Sequence, residues 1–320
     1  MLNESDIVNR LKKEFPDYIG DDAAVLPLCI SKNHVVTKDL LIEDVHFRAE
    51  YVDAASLAHK VVHVNLSDLA AMGACPEFIL LGVAIPLLYE KYAQAFLEQF
   101  ALVCQKSKVI LIGGDTTKSS DKLVISVTAI GFALHQNLKY RNTAQVGDVI
   151  CIAGSLGTAH LGLIACERKL KGFDYYKNSF LKPQAKIEEG QWLGFKQSVH
   201  SMMDISDGLV VDLKRLCEAS NVQANIKLEQ IKLSGIFIDY CKRVGLNAIE
   251  VALIGGEDYG LLFTVARASV EALKRSFKKQ FGYPIQCIGH FCAGKGIQFT
   301  ENNLPKNLIL HTFSHFGEAL

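Results

Sequence analysis

The sequence has no surplus of either charge: 34 Lys and Arg residues stand against 34 Asp and Glu. A broad basic field for nucleic acid or an anionic membrane is therefore not expected, and any anionic ligand must be met by local groups or by metal ions. The nine cysteines include no CxxC pair. The nearest two, Cys287 and Cys292, have no second pair or histidine cluster beside them. That disfavours a structural zinc site and a disulfide framework, and it points to reduced, mostly buried thiols in a cytoplasmic protein. Long hydrophobic runs are also lacking. The most apolar stretch, residues 78–89, is too short to cross a bilayer and contains Pro86. Residues 1–15 carry no apolar targeting core. Low-complexity segments, short repeats, a GxSxG elbow and an HExxH helix are all missing.

What is present is a chain of 320 residues, 49% hydrophobic and 21% charged, enough for a large core in one or two domains. Residues 5–15 read as a helix capped by Ser5. Strands follow at AAVLPL and HVVTKDLLI, and Asp53 caps a long helix ending near Gly73. EFILLGVAIP reads as a buried strand, and residues 89–107 as an amphipathic helix. KVILIGG and KLVISVTAIGFAL read as strands around a turn, GGDTTKSSD. The texture changes in the polar segment 138–149. The domains are therefore expected at 1–138 and 139–320, the first a sheet with helices on one face, the second an alternating α/β (α+β) unit. In the second, helices are expected after the GSLG turn and at 184–198, 207–219, 234–244 and 268–281. Strands are expected at 149–154, before DISDG, and at 222–228, 260–266 and 284–289.

A single pattern recurs through both halves. Carboxylates sit beside glycine or small residues at the ends of apolar runs: GDDAAV (Asp22), VVTKDLLI (Asp39), NLSDLAAMGA (Asp68), LIGGDTT (Asp115), MMDISDG (Asp204, Asp207) and IGGEDYG (Glu257, Asp258). Taken singly, each aspartate is better explained as a turn residue or helix cap. Taken together they favour divalent metal, because strand ends and helix starts project oxygen ligands into clefts. Asp207 fits either an N-cap or a ligand, and Asp212 reads as an ordinary surface residue. GHFCAGKG (289–296) nearly matches a phosphate-binding loop, but Gly296 stands where Ser or Thr would hold magnesium, so a hairpin turn is expected. His59 and His63 share a helix face and read as satisfied histidines rather than a zinc site.

Set side by side, GDDAAV, TKDLLIEDVHF, NLSDLAAMGA, LIGGDTT, MDISDGL and GGEDY occur in an order that resembles the thiamine-monophosphate kinases, across nearly the whole chain. That family is grouped with aminoimidazole ribonucleotide synthetase and selenophosphate synthetase. The resemblance implies a two-domain fold whose N-terminal sheets pair into a dimeric β-barrel. It implies ATP and several Mg2+ ions in the cleft, and phosphorylation of thiamine monophosphate as the last step toward thiamine diphosphate. By the same resemblance Asp22, Thr37, Lys38, Asp39, Asp68, Asp115, Asp204 and Asp207 would hold magnesium, Lys38 through its carbonyl. Gly114, Asp115, Arg141 and Ser206 would contact ATP, and His46, Glu257 and Phe313 the thiamine site. No general base is required, because the acceptor is already an ionised phosphate oxygen. The chain departs from the family pattern at Lys38, at RNTAQVGD (141–148), at FLKPQAK (180–186) and at Gly260. A sister enzyme that makes selenophosphate or closes an imidazole ring is the alternative within the same fold; a non-catalytic metal-binding protein is the alternative outside it.

Overall fold

The computed structural model describes residues 21, 23–27, 32–308 and 310. The expected helix 5–15, Asp22 and Phe313 lie outside them. The first sheet contains β1 (Ala24–Pro27), β2 (Lys32–Ile42), β3 (Cys75–Pro86), β4 (Ile110–Ser119) and β5 (Val124–Leu134), in the order β1-β2-β5-β3-β4. All pairs are antiparallel except β3 and β4, which run parallel. A parallel pair needs a crossover, and helix α2 (Glu90–Lys106) supplies it. In β5 the alternation of a half-buried sheet is clear: Ile125, Val127 and Ala129 are fully buried, while Ser126, Thr128 and Ile130 are only partly so. The buried face packs on α1 (Ala54–Ala71) and α2 through residues such as Leu57, Val61, Phe96 and Phe100.

Helix α1 starts where expected, with the Asp53 carboxylate accepting the Ser56 N–H at 2.7 Å. It is buried nearly all round, Lys60, Asn65 and Ser67 included, because elements of the second domain close over its far side. One sequence expectation fails here. GGDTT is not a turn, because residues 113–119 continue β4 along Leu80–Pro86 of β3. The ladder with β3 outweighs the turn preference of Gly, Asp and Thr.

The second sheet has seven strands in the order β12-β11-β8-β10-β6-β9-β7. They are β6 (Val149–Ala153), β7 (Val199–Asp204), β8 (Gln223–Lys227), β9 (Leu261–Val265), β10 (Gln286–Cys292), β11 (Gly296–Glu301) and β12 (Leu304–Lys306). Its helices are α3 (Thr158–Glu167), α4 (Asp174–Leu181), α5 (Ile187–Gly194), α6 (Leu209–Ser220), α7 (Gly235–Arg243), α8 (Ala248–Ile254) and α9 (Val270–Phe281). The two-domain α/β (α+β) architecture is as expected. The helix read at 184–198 contracts to α5, and the short elements α4, α8, β11 and β12 were not foreseen. GHFCAGKG is not a hairpin. β10 and β11 flank β8, the first antiparallel and the second parallel to it, so the turn between them steps over the start of β8. Gly294 permits this with φ +137°, where a Cβ would sit 2.5 Å from the Gln223 side-chain oxygen.

Candidate active site

A cleft of about 530 Å3 opens between the two domains. Its walls bring together Asp39, His46, Asp68, Asp204, Ser206, Asp207 and Glu257, seven of the residues singled out in the sequence. Helix α1 organises the first-domain side. The Asn65 side-chain oxygen accepts the Asp39 backbone N–H at 3.2 Å, and its amide donates to the Val61 carbonyl at 2.9 Å. Thr37 donates its hydroxyl to Asp68 Oδ2 at 2.5 Å, and Ser67 donates to Asp204 Oδ2 at 2.7 Å. Three nearby positions of one helix therefore fix β2, the Asp68 carboxylate and the end of β7. Burial, reinforced by the negative Asp207 nearby, pushes the Asp39 carboxyl up to about 6. Carboxylates crowded in this way favour a positively charged or metal-bridged ligand.

From the second domain, DISDG and GGEDYG interlock. The Ser206 carbonyl accepts the Glu257 N–H at 2.7 Å, the Ile205 carbonyl accepts the Tyr259 N–H at 3.0 Å, and the Ile205 N–H donates to the Gly260 carbonyl at 2.8 Å. Gly208, at φ +106°, lies so close to the Ile254 carbonyl that a Cβ would come within 2.6 Å of it. Asp212 corrects the sequence reading. It is fully buried rather than a surface residue, and its carboxylate accepts the Asp207 N–H and an Arg215 N–H, both at 3.0 Å. Arg215 also pairs with Asp207 at 2.5 Å. Asp207 is therefore held from behind, and it is not the helix cap, since α6 is entered through Gly208. Asp258 turns away from the cleft and accepts the N–H groups of Gly157 and Ala159 at the start of α3.

In the same cleft the His46 Nδ1 accepts the Ile42 N–H at 3.0 Å, which fixes the ring. Glu257 meets the buried Lys60 ammonium at 2.7 Å, and that ammonium also lies 3.7 Å from the centre of the Phe180 ring. Tyr51 packs near Phe180, and Arg48 pairs with Glu167 at 3.5 Å on the rim. The sequence reading missed Lys60, Asn65, Ser67, Asp212, Arg215 and Phe180. A signal existed for Lys60 alone: a lysine amid the apolar positions of a helix needs a buried partner. His59 and His63 stack with ring centres 4.1 Å apart. They bond to Pro183, Gln184 and Ala185, as satisfied histidines do.

Five candidate site residues among those described do not line this cleft; Thr37 is one, joined to it only through its hydrogen bond to Asp68. The Lys38 ammonium lies on the other face of the sheet and donates to Ser126 Oγ at 2.6 Å. The Arg141 backbone is pinned by Asp21, Ser201 and Ser220. Gly114 and Asp115 belong to the exposed edge strand β4. Register aligns Gly114 with Leu81, Val127 and Asp39, three strand spacings or about 14 Å across the sheet. Asp115 aligns with Gly82, Ser126 and Leu40, the row on the opposite face from Asp39. Among the described residues, no three carboxylate, histidine or cysteine side chains converge closely enough to hold one metal ion.

Comparison with known proteins shows the family. Residues 20–133 match the N-terminal domain of AIR synthase related proteins, and residues 145–302 match their C-terminal domain. The chain is thus an AIR synthase-related protein. Within that class it is 34% identical to the thiamine-monophosphate kinase of Haemophilus influenzae, covering 94% of this chain and 92% of the relative. It is 33% identical to that of Escherichia coli K12 over 93% and 91% of the two chains. A solved structure described as AaThiL complexed with AMPPCP and TMP superimposes with a TM-score of 0.85 at 30% identity, covering 98% of this chain and 97% of that one. The hydrogenase maturation protein HypE in complex with ATP shares the fold, with a TM-score of 0.70 at 18% identity over 91% and 88%. The chain belongs to the thiamine-monophosphate kinase family.

Proposed function

We propose that this protein transfers the γ-phosphoryl group of ATP directly to the phosphate of thiamine monophosphate, giving thiamine diphosphate. The observation that carries this reading is the interdomain cleft. It gathers Asp39, Asp68, Asp204, Asp207, His46 and Glu257 in one place, the last paired with the buried Lys60. The donor set fits magnesium: every candidate ligand is a carboxylate, hydroxyl or carbonyl oxygen. An ion held by one or two carboxylates and completed by substrate phosphates needs no preformed three-ligand cage. Asp22, Thr37, Asp39, Asp68, Asp204 and Asp207 would hold such ions, with the Lys38 carbonyl. Bound magnesium would neutralise the phosphates of both substrates and align donor and acceptor oxygens in line.

The chain's own groups do the rest by positioning. Ser206 and Arg141 would meet the nucleotide. His46, Glu257 and Phe313 would hold the thiamine moiety, with Lys60 fixing the Glu257 carboxylate. No side chain needs to take a proton from the acceptor. The reading includes a homodimer. Edge strand β4 exposes Ile110, Leu111 and Ile112, and an apolar unpaired edge invites a partner. Asp115 and Gly114 would then serve the partner's cleft, since they cannot share an ion with Asp39 across about 14 Å of their own sheet. The thiols of the described cysteines are free, which suits a cytoplasmic enzyme. No helix among the described residues is long and apolar enough to cross a membrane.

The test is the reaction itself. Purified protein with ATP, Mg2+ and thiamine monophosphate is expected to form thiamine diphosphate, and thiamine offered instead to give no product. ATP turnover on a different acceptor, with none on thiamine monophosphate, would refute the assignment.

A further inference from the structure

A second cleft, about 850 Å3, lies wholly within the second domain and away from the carboxylates. Tyr175, Tyr176, Lys232, Lys274 and Cys287 are among its lining residues, as are Glu229 and Glu271, the latter paired with Lys274 at 2.9 Å. Cys287 is directly opposite Cys151 in the antiparallel pairing of β10 with β6, and the two sulfurs are 3.3 Å apart. Facing residues of an antiparallel pair have Cα atoms about 4.5–5.5 Å apart, within the span a disulfide bridges. The register slips at Ile288, immediately after Cys287, and such a bulge gives the strand local room to adjust. Cys151 is fully buried, whereas Cys287 is partly exposed in the cleft. We infer that Cys151 and Cys287 form a redox-active dithiol that closes a reversible cross-strand disulfide with a small zwitterionic disulfide of the glutathione type, admitted through this cleft.

The surroundings assign the two sulfurs different parts. The hydrogen bond from Cys151, with the Lys274 ammonium adding to it, holds the Cys287 thiol below its ordinary range. The same bond and burial hold Cys151 above it. Cys287 as thiolate attacks one sulfur of the entering disulfide, forming a mixed disulfide and releasing one thiolate. Cys151 then attacks the Cys287 sulfur, gives up its proton, and releases the second small thiol. Two protein thiols are oxidised and one external disulfide is reduced to two thiols. The mixture of lysines and glutamates at the mouth suits a molecule carrying both charges.

Oxidised glutathione is the probe, with the full-length protein. Peptide mapping after alkylation should show a linked pair of peptides carrying Cys151 and Cys287. Seven alkylatable thiols should remain of the nine, all nine returning with dithiothreitol. In Cys151→Ser the glutathione adduct should accumulate at Cys287, and in Cys287→Ser no adduct should form at Cys151. Absence of the 151–287 link in the wild type would overturn the inference without requiring any variant to fold. So would an adduct in Cys151→Ser that falls on other cysteines instead.

Discussion

Asp39 shows how a single residue can serve the site at a cost to the fold. Its carboxyl is raised from an ordinary 3.8 to about 6 by burial and by Asp207. The proton it retains on folding contributes stability that is whole below about pH 4 and is lost as pH rises through 6. Above that, the ionised group disfavours the folded state by up to about 3 kcal/mol. Asp39→Asn should therefore raise the melting temperature of metal-free protein at pH 7.5, and the difference should vanish near pH 4. Turnover should fall by about a hundredfold or more, as for other groups that act only through preorganised electrostatics. A thermal melt across pH with and without Mg2+ and nucleotide checks both halves. Lys60 acts at the same scale. Lys60→Met keeps the buried stem but removes the cation from Glu257, a charge-assisted bond of about 1.5–3 kcal/mol. The KM for thiamine monophosphate should rise at least about tenfold, with a smaller change in kcat. Lys60→Arg should not rescue it, because a planar fork does not replace a compact ammonium above the Phe180 ring. Steady-state kinetics with the acceptor varied is the measurement.

Among the elements, β4 is the most exacting. A Cβ on Gly114 would come within 1.8 Å of the Leu81 carbonyl oxygen, so β4 can lie against β3 only with glycine there. Gly114→Ala should displace β4 and Asp115 with it. The expected cost is about 1–3 kcal/mol of stability, read by denaturant melting, together with a raised KM for ATP. This strand also marks the limit of what the sequence disclosed. Long periodic segments were legible: α1, α2, β3 and β5 lie where their patterns put them, and the carboxylates at strand ends were found by chemistry and order. GGDTT misled because its composition is that of a turn, while its pairing with β3 is a long-range fact. Asp212 misled for a related reason. Nothing local distinguishes a surface carboxylate from one that accepts the Asp207 N–H beneath the site. Lys60, Ser67 and Arg215 find their partners 197, 137 and 8 positions away, and no sequence pattern names those partners.

For the molecule as a whole, the placement of Asp115 bears on how many chains build one site. One face of the first sheet is buried under α1 and α2. Of the other, Lys38 and Leu40 are exposed while Ser126, Thr128 and Ile130 are half-buried, and the edge strand β4 is exposed along nearly its whole length. Asp39 belongs to the first face and Asp115 to the second, about 14 Å apart along one sheet. If two copies meet along β4, the Asp115 of each can reach the cleft of the other. Asp39→Asn and Asp115→Asn should then each be inactive alone. Mixed under conditions that let subunits exchange, they should recover about a quarter of wild-type turnover, because half of the dimers are mixed and one of their two sites carries both native aspartates. A site built within one chain would leave every mixture inactive. A third variant, Ile112→Lys, places a charge on the exposed edge. Sedimentation should show it as a monomer, and it should lose turnover while the second domain keeps its melting behaviour. Restored activity in the mixture with loss in the monomer would locate the reaction at an interface. Activity in the Ile112→Lys monomer would return Asp115 to its own chain and leave β4 a merely structural edge.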